Sequence, residues 1–421
     1  MENALGGKKE PPLIYDENLQ IILLTEELKF PTGIDFLAKN DILVIEKNTG
    51  QVKRILDGEM LNEPILDVNV ASESERGLLG IAIFNPKNVK DFESDELSQK
   101  NIRKNETKVF LFYTETKDID NGEILGNRLY KYDFIDGKLY KPTMLMDLPY
   151  LPGPSHNGGV LELGPDNNLY LVVGDINREA NPEYLTFAQN IEDSKVPDGR
   201  GGVLRMTVDG DPVLSDNNSL GESSPLDFYY GYGIRNSFGI SFDTLTGFLW
   251  ETENGSNYGD EINVILPGFN GGWRQVLGLS SEYENFKNKV FDRNNLVFFN
   301  GKGTYYEPVF TWADTIAPTA ITFIDSKIFG KKYENDLLVG SVKQGRIFHF
   351  DLNETRTGLD LSDELADRIA NVDEELESVT LGRNFGIITD IEINPYDGKI
   401  YVVNGQSKKG KIYEIFPKKL E

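Results

Sequence analysis

The chain reads as an all-β protein, a six-bladed β-propeller with loop insertions at the blade ends. Three observations predict it. Short apolar strand patterns recur in six segments of similar shape, turns rich in Asp, Asn, Gly and Lys separate them, and 41 glycines match the many tight turns this requires. By length alone, 421 residues suggest two or three domains, unless a repeat architecture absorbs them.

Each segment is an apolar strand, a polar turn, a second strand ending in small polar residues, and a third strand. The first runs from Gly33–Phe36 through Ile42–Glu46 to Val52–Ile55, and the second uses Leu79–Ile83, Val109–Tyr113 and Arg128–Tyr132. The third opens at Val160, continues through Leu169–Val173 and closes with Gly202–Met206. The fourth has Gly239–Phe242, Phe248–Glu251 and Glu261–Ile265. The fifth has Ala320–Phe323, Asp336–Gly340 and Arg346–Phe350, and the sixth Ile391–Ile393, Lys399–Val403 and Lys411–Ile415. Even spacing of this kind means radial repetition rather than stacked α/β units. Residues preceding the first strands then gather at the mouth of a central channel.

Residues 1–29 are assigned to an N-terminal tail and lead-in strand, 30–416 to a single propeller domain and 417–421 to a C-terminal tail. Polar insertions at 87–108, 177–200, 214–227, 280–306 and 353–383 read as loops decorating the ends, with short helices around 359–369.

The formal charge of −25, from 68 acidic and 43 basic residues, argues against nucleic acid or an anionic membrane as partner. The chain lacks cysteine, so it has no disulfide, no thiolate metal site and no cysteine nucleophile. With two histidines almost 200 residues apart, any metal should be a hard cation held by oxygen, calcium or magnesium. No apolar run is long enough to span a bilayer, and the polar first twelve residues hold no signal core. The protein is then cytoplasmic, or a leader has been removed. Sequons at Asn105, Asn217, Asn254 and Asn353 are compatible with a secreted history.

His156 sits in the run Pro152-Gly153-Pro154-Ser155-His156-Asn157-Gly158-Gly159, directly before a strand. Held there by Pro and Gly, an imidazole is suited to exchange protons near neutral pH, and equally to cap a turn. His349, inside Phe348-His349-Phe350, reads as an outward or core-edge residue. Tyr258, Trp273 and Trp312 are aromatic candidates for stacking on a ligand or for packing between blades.

From about Phe30 to Phe416 the chain resembles the soluble pyrroloquinoline-quinone (PQQ) dependent glucose and aldose-sugar dehydrogenases, also called glucose/sorbosone dehydrogenases. The resemblance rests on Glu75-Arg76-Gly77-Leu78-Leu79-Gly80, Ser155–Gly159, Gly233-Ile234-Arg235-Asn236-Ser237-Phe238-Gly239, Glu253–Asn263 and Val342-Lys343-Gln344-Gly345, in that order. It implies that His156 is the base taking the anomeric proton while hydride passes from C1 to the quinone. It implies that Arg235 and Asn236 contact the quinone oxygens, Arg235 also stabilising charge there, and that Lys343 pairs with a PQQ carboxylate. Read without the resemblance, Arg235 forms a salt bridge, Asn236 enters a strand and Lys343 is a surface lysine. Glu75 stands where the family often has Gln, as a bridge from sugar or cofactor to the base, as a carboxylate that raises the basicity of His156, or as a turn cap.

The resemblance further implies that the main-chain carbonyls of Gly255 and Ser256 hold calcium; otherwise Asp260-Glu261-Ile262-Asn263 is only a turn before a strand. Glucose enzymes of the family carry an Arg-x-Arg pair entering the last blade. Here Ile387 and Thr389 occupy those places, with Arg383 nearby as a substitute, and Ser155 replaces an Asp beside the base.

The expected function is PQQ- and calcium-dependent oxidation of aldoses at C1 to lactones, with electrons passed to an external acceptor. The expected state is a monomer or homodimer, exported to the periplasm or cell surface. The alternatives are a non-catalytic propeller binding glycan or protein at its channel mouth, and a calcium-dependent propeller lactonase.

Overall fold

The computed structural model describes residues 10–86, 107–118, 122–214, 219–287 and 290–419. Asn105, Asn217 and most of the insertion at 87–108 lie outside the described residues. The described strands form six sheets, and the protein is an all-β propeller. The innermost strands are Pro31–Ala38, Leu78–Phe84, Leu161–Leu163, Ser237–Phe242, Pro318–Phe323 and Ile388–Ile393. Each touches the next in chain order, and the last returns to the first, so the sheets close a ring. A cavity of about 40 Å³ on its axis is lined by Thr32, Leu79, Val160, Phe238, Ala320 and Thr389, one from each inner strand or its entry.

The sequence pattern located three strands of each sheet; the outer ones follow as hairpin neighbours in the first two sheets, Glu59–Met60 and Lys138–Leu148, and come from further away in the chain in others. Leu19–Leu28 pairs antiparallel with Gly410–Pro417, Leu19 opposite Pro417 and Leu28 opposite Gly410, which ties both ends of the chain into one sheet. Leu13–Ile14 adds to Thr380–Arg383 in the neighbouring sheet. The segment set apart as tail and lead-in strand therefore supplies edge strands to two sheets. Phe269–Asn270 and Thr304–Tyr305 extend the third sheet in parallel fashion, and Ile369–Ala370 the fourth.

The expected helices around 359–369 reduce to one 3-10 turn at Asp363–Leu365. Leu359 bridges Leu352, and Ile369 is drawn into the sheet beside Thr311. Too few residues remain between these anchors to repay helix nucleation. The insertion at 280–306 does hold an α-helix, Ser280–Lys287.

The core lies between sheets, as alternating strand faces require. Val339, Phe348, Trp250, Trp312 and Ile262 pack in one such layer. Trp312 is 1% exposed and meets the ring of Phe310 edge-on at 4.9 Å, so it is a packing residue. No helix among the described residues is long and apolar enough to cross a membrane.

Candidate active site

The His156 loop is built by close backbone approach. His156 has φ 64°, in the left-handed region that costs a side-chain-bearing residue about 1–2 kcal/mol. Surrounding contacts hold it there: Ile176 N–H donates to its carbonyl at 3.2 Å, and Gly153 N–H donates to Ile176 O at 2.9 Å. Gly174 must be glycine, because a Cβ would lie 2.3 Å from His156 O. A strained, over-determined residue of this kind is a marker of function.

The imidazole is 3% exposed, and its Nδ1 lies 2.7 Å from Asp175 Oδ1. Asn177 N–H donates to the same oxygen at 2.9 Å. Asp175 Oδ2 accepts from Trp273 Nε1 at 2.7 Å and Arg274 Nη2 at 2.5 Å. Burial alone would push the Asp175 carboxyl up. The hydrogen bond from His156, the charges of His156 and Arg274, and the Asn177 amide outweigh burial and hold it below the ordinary range. An ionised Asp175 accepts from Nδ1–H and leaves Nε2 as the ring's acceptor. Nε2 has no hydrogen bond to any described residue.

Glu75 ties this loop to the neighbouring motif. Its Oε2 accepts the backbone N–H of His156 at 2.5 Å and of Asn157 at 3.3 Å, and Asn236 Nδ2 at 3.2 Å. Lys47, 6% exposed, stands near enough for its charge to act on Glu75; burial first, opposed by Glu75, brings its ammonium down to about 8. Ser74 and Ser155 hydroxyls meet at 3.1 Å.

Arg235 leads from the base toward the main-chain carbonyls. Its N–H donates to Glu253 Oε1 at 2.6 Å, its Nη1 donates to Asn254 O at 2.6 Å, and the guanidinium lies 5.5 Å from the Trp273 ring centroid. Burial, opposed by Asp175, Glu253, Glu75 and Asp260, lowers its affinity for a proton below the ordinary value. Next in chain, Gly255 N–H donates to Asp260 Oδ1 at 2.7 Å, while Asp260 Oδ2 accepts from Ile316 N at 2.7 Å and Ala317 N at 2.8 Å. Gly255 is buried and Ser256 exposed. Lys343 meets the same 315–317 segment: its N–H donates to Ile316 O at 3.1 Å, and its Nζ donates to Thr315 O at 2.9 Å.

A continuous chain of contacts thus joins His156, Glu75, Asn236, Arg235, Gly255 and Lys343. Arg383 is held elsewhere, with Nη2 2.9 and 2.8 Å from the Glu377 carboxylate oxygens and its guanidinium 5.1 Å from the Tyr15 ring centroid. Thr389 Oγ1 donates to Pro31 O at 2.9 Å, a structural bond. His349 Nε2 is 2.9 Å from Asp336 Oδ2 and its ring meets Tyr333 at 5.0 Å, away from the His156 cluster in contact terms. Asp175, Arg274 and Lys47 were not singled out from sequence. Asp175 carries a usable signal, an Asp following a glycine at the end of a strand, but Arg274 lies 99 residues further along the chain with no local pattern.

Comparison with known proteins adds the family. The Glucose / Sorbosone dehydrogenase family profile matches residues 28–414. Aldose sugar dehydrogenase YliI of Escherichia coli is 24% identical over 402 residues, covering 95% of this chain and 93% of its own. Quinoprotein glucose dehydrogenase B of Acinetobacter calcoaceticus is 25% identical over 398 residues, covering 80% and 78%. The PQQ-bound aldose sugar dehydrogenase of Streptomyces coelicolor superposes with a TM-score of 0.62 at 19% identity, covering 96% of this chain and 100% of that one. With the profile spanning nearly the whole propeller, this chain belongs to the glucose/sorbosone dehydrogenase family and is a sugar dehydrogenase.

Proposed function

We propose that the chain oxidises aldoses at C1 to lactones, with PQQ and calcium bound at the mouth formed by Glu75, His156, Arg235, Asn236, Gly255 and Ser256, on a propeller whose six sheets are six blades. The observation that carries this reading is the buried His156–Asp175 pair beside Arg235 and Asn236. Arg235 Nε and Asn236 Oδ1 are both buried without a partner among the described residues. A buried polar atom without a partner costs about 1–3 kcal/mol, and a bound polar ring bearing donors and acceptors would satisfy both atoms.

When bound, PQQ supplies a two-electron acceptor for the C1 hydride, with calcium polarising it. Carbonyl ligation by Gly255 and Ser256 suits a hard cation. His156 takes the proton of the anomeric hydroxyl on Nε2, so the sugar loses one hydride and one proton. Arg235 stabilises the negative charge that develops opposite the sugar. At the carboxylate end the donor set is thinner: Lys343 is exposed and Thr389 is engaged with Pro31. These residues would therefore hold the cofactor mainly through its quinone end. Electrons leave to an external acceptor, and the enzyme works as a monomer or homodimer in the periplasm or outside the cell.

The test is reconstitution: PQQ and calcium are added to purified protein and dye reduction is followed with a panel of aldoses. Reduction that needs both additives and a sugar supports the reading. No absorbance change and no melting shift with PQQ would remove it.

A further inference from the structure

Around His156, Asp175 meets the imidazole and Glu75 the backbone N–H, while Arg274, Arg235 and Lys47 bring the opposite charge to those two carboxylates. Arg274 is the one that touches the carboxylate. Its Nη2 reaches Asp175 Oδ2 at 2.5 Å and also bonds Asn177 O. Its side chain is 12% exposed, and its guanidinium lies 4.8 Å from the Trp273 ring centroid. The backbone fixes it too, with Arg274 N–H donating to Gln189 O at 3.0 Å and Trp273 N–H to Gly233 O at 3.0 Å. Trp273 and Arg274 therefore deliver two donors to one carboxylate oxygen while the other oxygen faces the base.

We propose that Arg274 is a positioning residue that keeps the His156 proton on Nδ1 and Nε2 bare, by supplying the counter-charge to Asp175. A fully buried carboxylate without a cation is costly, and it recovers that cost by taking a proton or by charging its neighbour. If Asp175 took the proton, it would donate to Nδ1, and the ring hydrogen would move to Nε2. If His156 became imidazolium, Nε2 would again carry a hydrogen. Either way the acceptor that the base needs is lost. With Arg274 in place the carboxylate is already compensated, so neither shift is required. The Trp273 indole cannot replace it, because a neutral donor supplies a hydrogen bond without a charge. The inference rests on the reading of His156 as the base, but its test does not use the loaded enzyme.

The chain has two histidines, so nitrogen-15 labelling of histidine resolves both rings, and His349→Gln assigns them. The spectra are recorded on cofactor-free protein at neutral pH. The expected result is a protonated Nδ1 and an unprotonated Nε2 in the parent, a proton on Nε2 in Arg274→Gln, and the parental pattern in Arg274→Lys. Arg274→Met, which also removes the charge, takes the place of Arg274→Gln should that variant not fold. A bare Nε2 in the charge-removing variant, or a protonated Nε2 in the parent, overturns the proposal. A merely structural Arg274 would alter melting without moving the proton. With PQQ, calcium and sugar added, kcat should fall by about 10²–10⁴ in Arg274→Gln while KM stays within a few fold, the size general-base catalysis contributes. If the ring pattern follows the prediction and kcat does not, the proton relay stands and the base reading fails.

Discussion

His156 Nδ1 and Asp175 Oδ1 lie 2.7 Å apart inside a loop crossing where His156 is held at a positive φ. The imidazole loop leads into the strand Leu161–Leu163, and the strand paired with it, Leu169–Val173, ends just before the carboxylate, so the inner pair of one sheet builds the base and its orienting partner together. The partners of the other carboxylate oxygen, Trp273 and Arg274, come from 98 and 99 residues further along the chain.

Asp175→Asn keeps the shape but gives Nδ1 an amide that can hold either tautomer. Dye-linked sugar oxidation should fall about 10²–10⁴-fold, with PQQ binding within a few fold of the parent. Steady-state kinetics beside a PQQ titration reads both, and full activity in the variant contradicts the relay.

Glu75→Ala leaves three donors without their acceptor: the amides of His156 and Asn157 and the Asn236 side chain. Stability should drop by about 1–3 kcal/mol and kcat should fall with it. Glu75→Gln keeps an acceptor oxygen and should cost less on both counts. Denaturant melts of the two variants check the order.

Lys343→Ala should weaken PQQ binding about tenfold, the value of one charged hydrogen bond at a partly exposed site. Arg383→Ala should leave it within twofold, because that guanidinium is already committed to Glu377. Quenching of protein fluorescence by PQQ gives both constants. Equal losses would mean that Arg383 turns toward the cofactor.

Buried carboxyls on the inner strands contribute to the pH dependence of stability, alongside Glu251 and Glu261 in the fourth sheet, which burial also pushes up, to about 8 and about 7. Burial pushes the Asp35 and Asp390 carboxyls up to about 7, and burial with the charges of Asp35 and Asp390 pushes Glu162 up to about 8. Unfolded, such groups titrate near 4, so between about pH 4 and 8 the folded protein holds protons that the unfolded chain releases. Stability therefore declines as pH rises through that window, by at most about 1.4 kcal/mol per pH unit for each proton difference. Apoprotein Tm should be higher at about pH 5 than at about pH 8, and Glu162→Gln should flatten the slope. A Tm that climbs across this range would contradict the assignment. Carboxyls held low, such as Asp175, act only below that window.

The repeat was legible because period-two strands and Gly-rich turns are local signals; a lead-in strand within 1–29 was legible too, but its pairing with Gly410–Pro417 was not, because that partner lies at the far end of the chain. His156, Arg235, Asn236 and Gly255 were legible as motifs, and the structure joins them through Glu75, Glu253, Asn254 and Asp260. Arg383 is near Ile387 in sequence but not in its contacts. Its strand, Thr380–Arg383, is an outer one, where its guanidinium meets Glu377 and Tyr15. Arg274 was invisible because its meaning depends wholly on Asp175, 99 residues earlier in the chain.

The most direct test of His156 as the base is the His156→Ala variant loaded with PQQ and calcium and mixed with an aldose. The prediction is PQQ bound with nearly parental affinity and sugar-dependent dye reduction lowered at least about 10²-fold. Parental turnover in that variant, with PQQ demonstrably bound, would contradict the assignment of the proton to His156.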